Sequence, residues 1–210
     1  MKILCIDCDS TLSGIEGIDE LARLRGEALF EDVADLTMKA MDGEFPIEEV
    51  FGRRLALIKP TVADCEVIGQ LYMENLAPGV EETLEALRRA SWEIIIISGG
   101  FAPCIQPLAD KLGISRVEAV PLYFHPDGNY AGFGDHFPTT RNGGKQEIIQ
   151  QIKSEFEPLK VLMLGDGISD LEAAPEVDLF IGCGIFVTRE KVKAAAGAFI
   201  TDFRQVLDYI

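Results

Sequence analysis

The stretch Ile3-Leu4-Cys5-Ile6-Asp7-Cys8-Asp9-Ser10-Thr11 decides how this chain reads. A short apolar run of this kind fits a strand buried on both faces of a parallel sheet. It ends in two carboxylates separated by a single residue. Charges that close repel, and at a buried strand end each also gives up hydration. A divalent cation that prefers oxygen ligands relieves both penalties. Open α/β sheets, moreover, bind their ligands at the carboxyl ends of their strands.

Three further segments repeat or complete this pattern. Val161-Leu162-Met163-Leu164 is a second buried-strand run, and it leads into Gly165-Asp166-Gly167-Ile168-Ser169-Asp170. The glycines there allow a tight turn and close backbone approach to a ligand. Glu93-Ile94-Ile95-Ile96-Ile97 ends in Ser98-Gly99-Gly100, a hydroxyl and two glycines suited to an anion cradle of backbone N–H groups. Gly143-Gly144-Lys145 precedes a helical pattern carried by Ile148, Ile149, Ile152 and Phe156, which sets an ammonium near a helix start. Each piece alone has an ordinary reading as a turn or a solvated lysine; four such pieces, three at strand ends and in this order, are hard to get by accident.

Between the first two strands the periodicity turns helical. Apolar stripes run through Ile15, Ile18 and Leu21/Ala22, then Leu29, Val33, Leu36 and Ala40 up to Gly43, then Val50, Phe51, Leu55 and Ile58 up to Pro60. Thr61-Val62-Ala63-Asp64 reads as the capped start of a fourth helix. From Pro78-Gly79 onward helix and strand alternate, with strands expected over 93–97, 117–122, 159–164, 178–181 and 198–200 and a terminal helix. Asp127-Gly128 between two aromatic runs signals a hairpin. Helices between buried strands imply a parallel sheet with right-handed crossovers. The expected fold is α/β, a Rossmann-like core formed by residues 1–13 and 77–210, with a helical cap over 14–76 and a small β-hairpin.

The series Asp7-x-Asp9-x-Thr11, Ser98, Lys145 and Gly165-Asp166-Gly167-x-x-Asp170 resembles that of the haloacid dehalogenase-like phosphohydrolases. The chain is also similar to the phosphoserine phosphatase branch of that family. That likeness rests on Glu16-Gly17-Ile18-Asp19-Glu20-Leu21-Ala22, Arg54-Leu55-Ala56-Leu57-Ile58, Ser98-Gly99-Gly100-Phe101, Tyr130-Ala131-Gly132-Phe133, Gly143-Gly144-Lys145 and Ile200-Thr201-Asp202-Phe203. The resemblance implies a central 3–6 strand flanked by the 93–97 and 159–164 strands. It implies Asp7 as nucleophile, Asp9 as general acid and base, and Ser98, Gly99 and Lys145 as phosphate ligands. One Mg²⁺ would be held by Asp7, the Asp9 backbone carbonyl and Asp166, with Asp170 behind them contacting the metal through water or holding Lys145. Glu16 would receive the amino group of O-phosphoserine and Arg54 its carboxylate, with Met41, Gly100 and Ser169 completing the substrate site and Ile47 joining Met41 in an apolar lid. Ser169 stands where the family often has Thr or Asn, a mild departure that keeps the hydroxyl. The implied reaction is hydrolysis of O-phosphoserine to serine, the last step of serine biosynthesis; another small phosphomonoester, or transfer to an alcohol other than water, is the alternative.

The 210 residues are 48% hydrophobic with a net charge of −16, which argues against nucleic acid and anionic membrane surfaces as partners. A local cationic site must then overcome that field if the substrate is a phosphate. No apolar run near the N-terminus is long enough for a signal peptide or a membrane span. Five scattered cysteines point to reduced thiols and a cytoplasmic home, with a small phosphorylated metabolite as partner and a monomeric or homodimeric chain. Cys5 and Cys8 lie three apart on a strand and its extension, so they face opposite ways and do not pair. Cys183 and Arg189 match the Cys-x5-Arg spacing of cysteine-dependent phosphatases, but Ile185, Phe186 and Val187 between them are too bulky for a loop of inward N–H groups.

Overall fold

The structure, a computed structural model, describes the backbone of residues 1–41 and 47–210 and the side chains of 1–36 and 48–210. Gly43 and the side chains of Met41 and Ile47 lie outside the described residues, so the expected apolar lid does too.

Among the described residues six parallel strands form the main sheet, in the order β3-β2-β1-β6-β7-β8. They are β1 (Lys2–Ile6), β2 (Trp92–Phe101), β3 (Arg116–Val120), β6 (Lys160–Gly165), β7 (Leu179–Cys183) and β8 (Ala198–Ile200). A separate antiparallel hairpin pairs β4 (Leu122–Phe124) with β5 (Tyr130–Phe133). The central strand β1 is flanked by β2 and β6, as the resemblance implied. Its residues alternate between two fully buried faces. Leu4 and Ile6 pack in one apolar cluster with Leu162, Leu164, Ile94 and Ile96. Ile3 and Cys5 pack in the other with Val161, Met163, Ile95 and Ile97.

Helices cover both faces. α1 (Gly17–Arg23), α2 (Glu27–Met41), α3 (Ile47–Ile58) and α4 (Val62–Glu74) come in succession between β1 and β2, followed by α5 (Val80–Arg89). α6 (Ala102–Leu112) contributes Cys104, Ile105 and Leu108 to the first cluster. α7 (Gly144–Phe156) and α9 (Glu190–Ala195) close the second through Ile148, Ile149, Ile152 and Val192, while the short α8 (Ile168–Leu171) follows β6. Thr61 caps α4 as the sequence suggested: its hydroxyl accepts from the Asp64 N–H, and Asp64 accepts from the Thr61 N–H at 2.7 Å. None of the described helices is long and apolar enough to cross a membrane.

The structure corrects several element bounds. The strand expected over 117–122 is two strands, broken at Pro121, which has no N–H to give a ladder. β2 continues past Ile97 through Ser98-Gly99-Gly100 to Phe101, with a register shift against β3 there, so the strand expected to end at 97 runs on as extended chain. Leu159 falls outside β6 and is 85% exposed. The terminal helix is a 3-10 segment, Phe203–Tyr209.

Candidate active site

The register of the three central strands assembles the site. Ile6 pairs with Ile96 of β2 and with Leu164 of β6. Asp7 therefore lies one residue past the last pair of β1, and Ser98 and Asp166 lie two past the residues paired with Ile6. The Asp7 N–H still donates to the Leu164 carbonyl at 2.9 Å, which locks the residue to the sheet. Asp7, Ser98 and Asp166 are all buried.

Lys145 enters this acidic group from the first turn of α7. Its side chain is 4% exposed, and its ammonium lies 2.8 Å from Asp7 Oδ1 and 2.5 Å from Asp170 Oδ1. Burial works against the charge, but Asp170 and Asp7 overcome it and hold the ammonium above its ordinary range. Asp170 Oδ2 accepts the Gly167 N–H at 2.9 Å. The carboxyl can reach over the end of β6 because residue 165 is glycine: a Cβ there would stand 2.1 Å from Asp170 Cγ. Asp166 takes Arg189 Nε at 2.9 Å and the Thr11 hydroxyl at 3.4 Å.

One carboxylate oxygen each from Asp7, Asp166 and Asp170 lies within 4.8 Å of the others, and all three residues are buried. Burial first, and Asp7 second, push both Asp166 and Asp170 above the usual carboxylate range. The site thus carries more negative charge than Lys145 and Arg189 neutralise, and its donors are all oxygen. That chemistry fits a hard divalent cation.

Asp9 is not one of this trio. Its Oδ1 accepts the Gly17 N–H at 2.8 Å and the Tyr72 hydroxyl at 2.6 Å. Burial and the nearby Asp7 push its carboxyl up to about 6, against the opposing pull of those two hydrogen bonds. Ser10 follows in the left-handed region at φ 51°, strained for a serine, and its hydroxyl donates to Glu16 Oε1 at 2.7 Å. Glu16, just ahead of α1, is pushed up to about 8 by burial and then by Asp9. Arg54 on α3 is half-buried beside Phe51, with Asp19 and Glu16 supporting its charge against desolvation. Ser98 Oγ accepts the Gly100 N–H at 2.9 Å, Gly99 is half-buried, and Ser169 is exposed on α8.

Tyr72 and the Arg189–Asp166 pair were not legible in the sequence as parts of the site. Tyr72 sits in an apolar helical pattern 63 residues from its partner, and nothing local marks it. Cys183 is buried, and burial pushes its thiol up to about 12, the reverse of what a nucleophilic thiolate needs. Arg189, its would-be partner, is engaged with Asp166. The cysteine-phosphatase reading does not survive this geometry.

A family model described as haloacid dehalogenase-like hydrolase matches residues 1–178. Human phosphoserine phosphatase is 39% identical over 206 residues, covering 97% of this chain and 91% of the human protein. A solved substrate-bound phosphoserine phosphatase complex superposes with a TM-score of 0.82 at 26% identity, covering 100% of this chain and 98% of that one. A phospho-aspartyl intermediate analogue of phosphoserine phosphatase gives a TM-score of 0.82 at 27% identity over the same shares. With strand order, carboxylate placement and near full-length likeness in agreement, the chain belongs to the haloacid dehalogenase-like hydrolases.

Proposed function

We propose that this chain is a Mg²⁺-dependent phosphomonoester hydrolase that converts O-phospho-L-serine and water to L-serine and phosphate. The observation that carries the reading is the buried Lys145 ammonium bridging Asp7 and Asp170 beside Asp166, at the ends of adjacent strands. Such a site offers a nucleophile, a cation and metal-grade carboxylates within a few ångströms. The names and high coverage of the relatives support the choice of substrate.

Asp7, Asp166 and the Asp9 backbone carbonyl would hold the metal, with Asp170 fixing Lys145 from behind. When bound, the cation neutralises charge on the phosphoryl oxygens and helps align them. Asp7 attacks phosphorus, the bond from phosphorus to the serine oxygen breaks, and Asp9 gives that oxygen its proton. Asp9 then takes a proton from the water that attacks the aspartyl-phosphate, and phosphate leaves with Asp7 restored. Lys145, the Ser98 hydroxyl and the Gly99 N–H bind phosphoryl oxygens throughout.

The substrate's amino acid end is read from the helical side. Glu16, raised by burial first and then by the carboxylates around it, would receive the ammonium, and Arg54 offers a fork for a carboxylate. Gly100 and Ser169 would complete the substrate site. Residues 14–76 act as a cap over a core of 1–13 and 77–210. The chain leaves and returns at one point: Gly14 N–H donates to the Asn75 carbonyl and Ala77 N–H to the Leu12 carbonyl, both at 2.9 Å. Five buried, unpaired cysteines suit a reducing, cytoplasmic setting.

A panel of phosphomonoesters assayed with chelator and with Mg²⁺ tests the reading. Activity should vanish in chelator, return with Mg²⁺, and be highest on O-phosphoserine. Full turnover in chelator would overturn the metal assignment, and a better sugar phosphate would overturn the substrate.

A further inference from the structure

Asp9 Oδ1 is spoken for. A carboxylate oxygen has two lone pairs, and here one accepts the Gly17 N–H at 2.8 Å and the other the Tyr72 hydroxyl at 2.6 Å. The other oxygen, Oδ2, faces the phosphate side: a Cβ built on Gly100 would stand 3.0 Å from Asp9 Oδ2 and 3.2 Å from Ser98 Oγ. Tyr72 is fully buried on α4, so its hydroxyl cannot exchange Asp9 for bulk water without the helix moving. The contact also explains a glycine at the start of α1. A Cβ on Gly17 would lie 2.2 Å from the Tyr72 hydroxyl oxygen, while the nearest ring carbon is 3.1 Å away.

We propose that Tyr72 is a positioning residue for the acid–base step, holding Asp9 so that Oδ2 alone carries and transfers the proton. The proposal rests on the reading of Asp9 as the group that protonates the leaving oxygen. As Asp7 bonds to phosphorus and the ester bond breaks, the proton on Oδ2 passes to the departing alkoxide, and Oδ1 stays fixed by its two donors. Because Gly17 and Tyr72 both belong to the helices between β1 and β2, the seating of those helices sets the aim of a core carboxylate. Without the tyrosine hydroxyl, the Gly17 N–H alone holds Oδ1, and Asp9 is freer to rotate about its side-chain bonds and misaim Oδ2.

Leaving groups separate this role from a merely structural one. The serine alkoxide needs a proton as it departs; p-nitrophenolate does not. The ratio kcat/KM reports phosphoenzyme formation without the later hydrolysis, which both substrates share. Tyr72→Phe should lower kcat/KM for O-phosphoserine by about tenfold or more while changing that for p-nitrophenyl phosphate by less than about threefold, a part of the ~10²–10⁴ that a positioned general acid supplies. Asp9→Asn should show the same selectivity, larger. Gly17→Ala, which displaces the hydroxyl but keeps every polar group, should copy Tyr72→Phe and add little to it in the double variant. That second route keeps the test alive should Tyr72→Phe melt early. Equal losses on both substrates for Tyr72→Phe and Gly17→Ala, beside a selective Asp9→Asn, would overturn the Tyr72 role and leave Asp9 as the acid. An unselective Asp9→Asn would overturn the acid reading and the Tyr72 role together.

Discussion

The two sides of the site are built by different means. On the strand side, backbone hydrogen bonds do the placing: the Asp7 N–H is tied to the Leu164 carbonyl, and Asp166 and Ser98 follow from the pairing of β6 and β2 with β1. On the helical side, Glu16, Arg54 and Tyr72 come from three different elements, and side chains set their positions. Tyr72 reaches Asp9, Ser10 reaches Glu16, and Arg25, just past α1, donates to the Ile58 carbonyl at the end of α3 at 2.9 Å and pairs with Asp64 of α4. The strand side concentrates charge, and in the proposed function the helical side would select and aim. A lesion on the first should therefore damage stability as well as chemistry, and a lesion on the second mainly choice of substrate.

Lys145→Met presses this contrast hardest. It leaves Asp7 and Asp170 buried without their shared cation, so the metal-free protein should lose about 3–5 kcal/mol in chemical denaturation, the scale of breaking a buried ion pair. Adding Asp170→Asn should recover part of that loss. An unchanged denaturation midpoint for Lys145→Met would mean the strand side is not held by this charge pairing.

Arg54→Ala tests the helical side. Stability should change little, while kcat/KM for O-phosphoserine should fall by the equivalent of about 2–5 kcal/mol. The loss for p-nitrophenyl phosphate, which has no carboxylate, should be much smaller. A comparable loss on both substrates would place Arg54 in the phosphate site and erase the division between the two sides.

The smallest effect expected is a pH slope. Glu16 is raised from 4.5 to about 8, chiefly by burial, so folding favours its protonated form. Its contribution to stability is complete below about pH 4.5 and is lost as pH rises through about 8. The metal-free wild type should therefore lose stability across that window, and Glu16→Gln should lose less. Denaturation midpoints measured in chelator at several pH values check this; a steeper slope in Glu16→Gln would contradict the electrostatics drawn for the helical side.

The same division explains what could be read from the chain before its structure. Apolar runs ending in Asp7, Ser98 and Asp166 are local signals, because strand period and turn residues sit next to the functional group in sequence. The hairpin at Asp127-Gly128 and the cap at Thr61 were legible for the same reason. Pro121, by contrast, splits a run that hydrophobicity alone joins into one strand, and the extended Ser98-Gly99-Gly100 depends on the Ile97 and Phe101 pairs with β3 on either side of it. Tyr72 was invisible because its meaning lies in a hydrogen bond to a residue 63 positions away. Glu16 and Arg54 stood out only through family likeness, since an acid ahead of a helix and an arginine on one are ordinary by themselves.

The central claim is that Asp7 carries the phosphoryl group beside an all-oxygen metal site. Acid-quenching the Mg²⁺-loaded enzyme during turnover of ³²P-labelled O-phosphoserine, then mapping the label, tests it directly. The account predicts a single hydroxylamine-labile phosphate on Asp7, absent from Asp7→Asn. Label on Cys183, or undiminished label in Asp7→Asn, would contradict it.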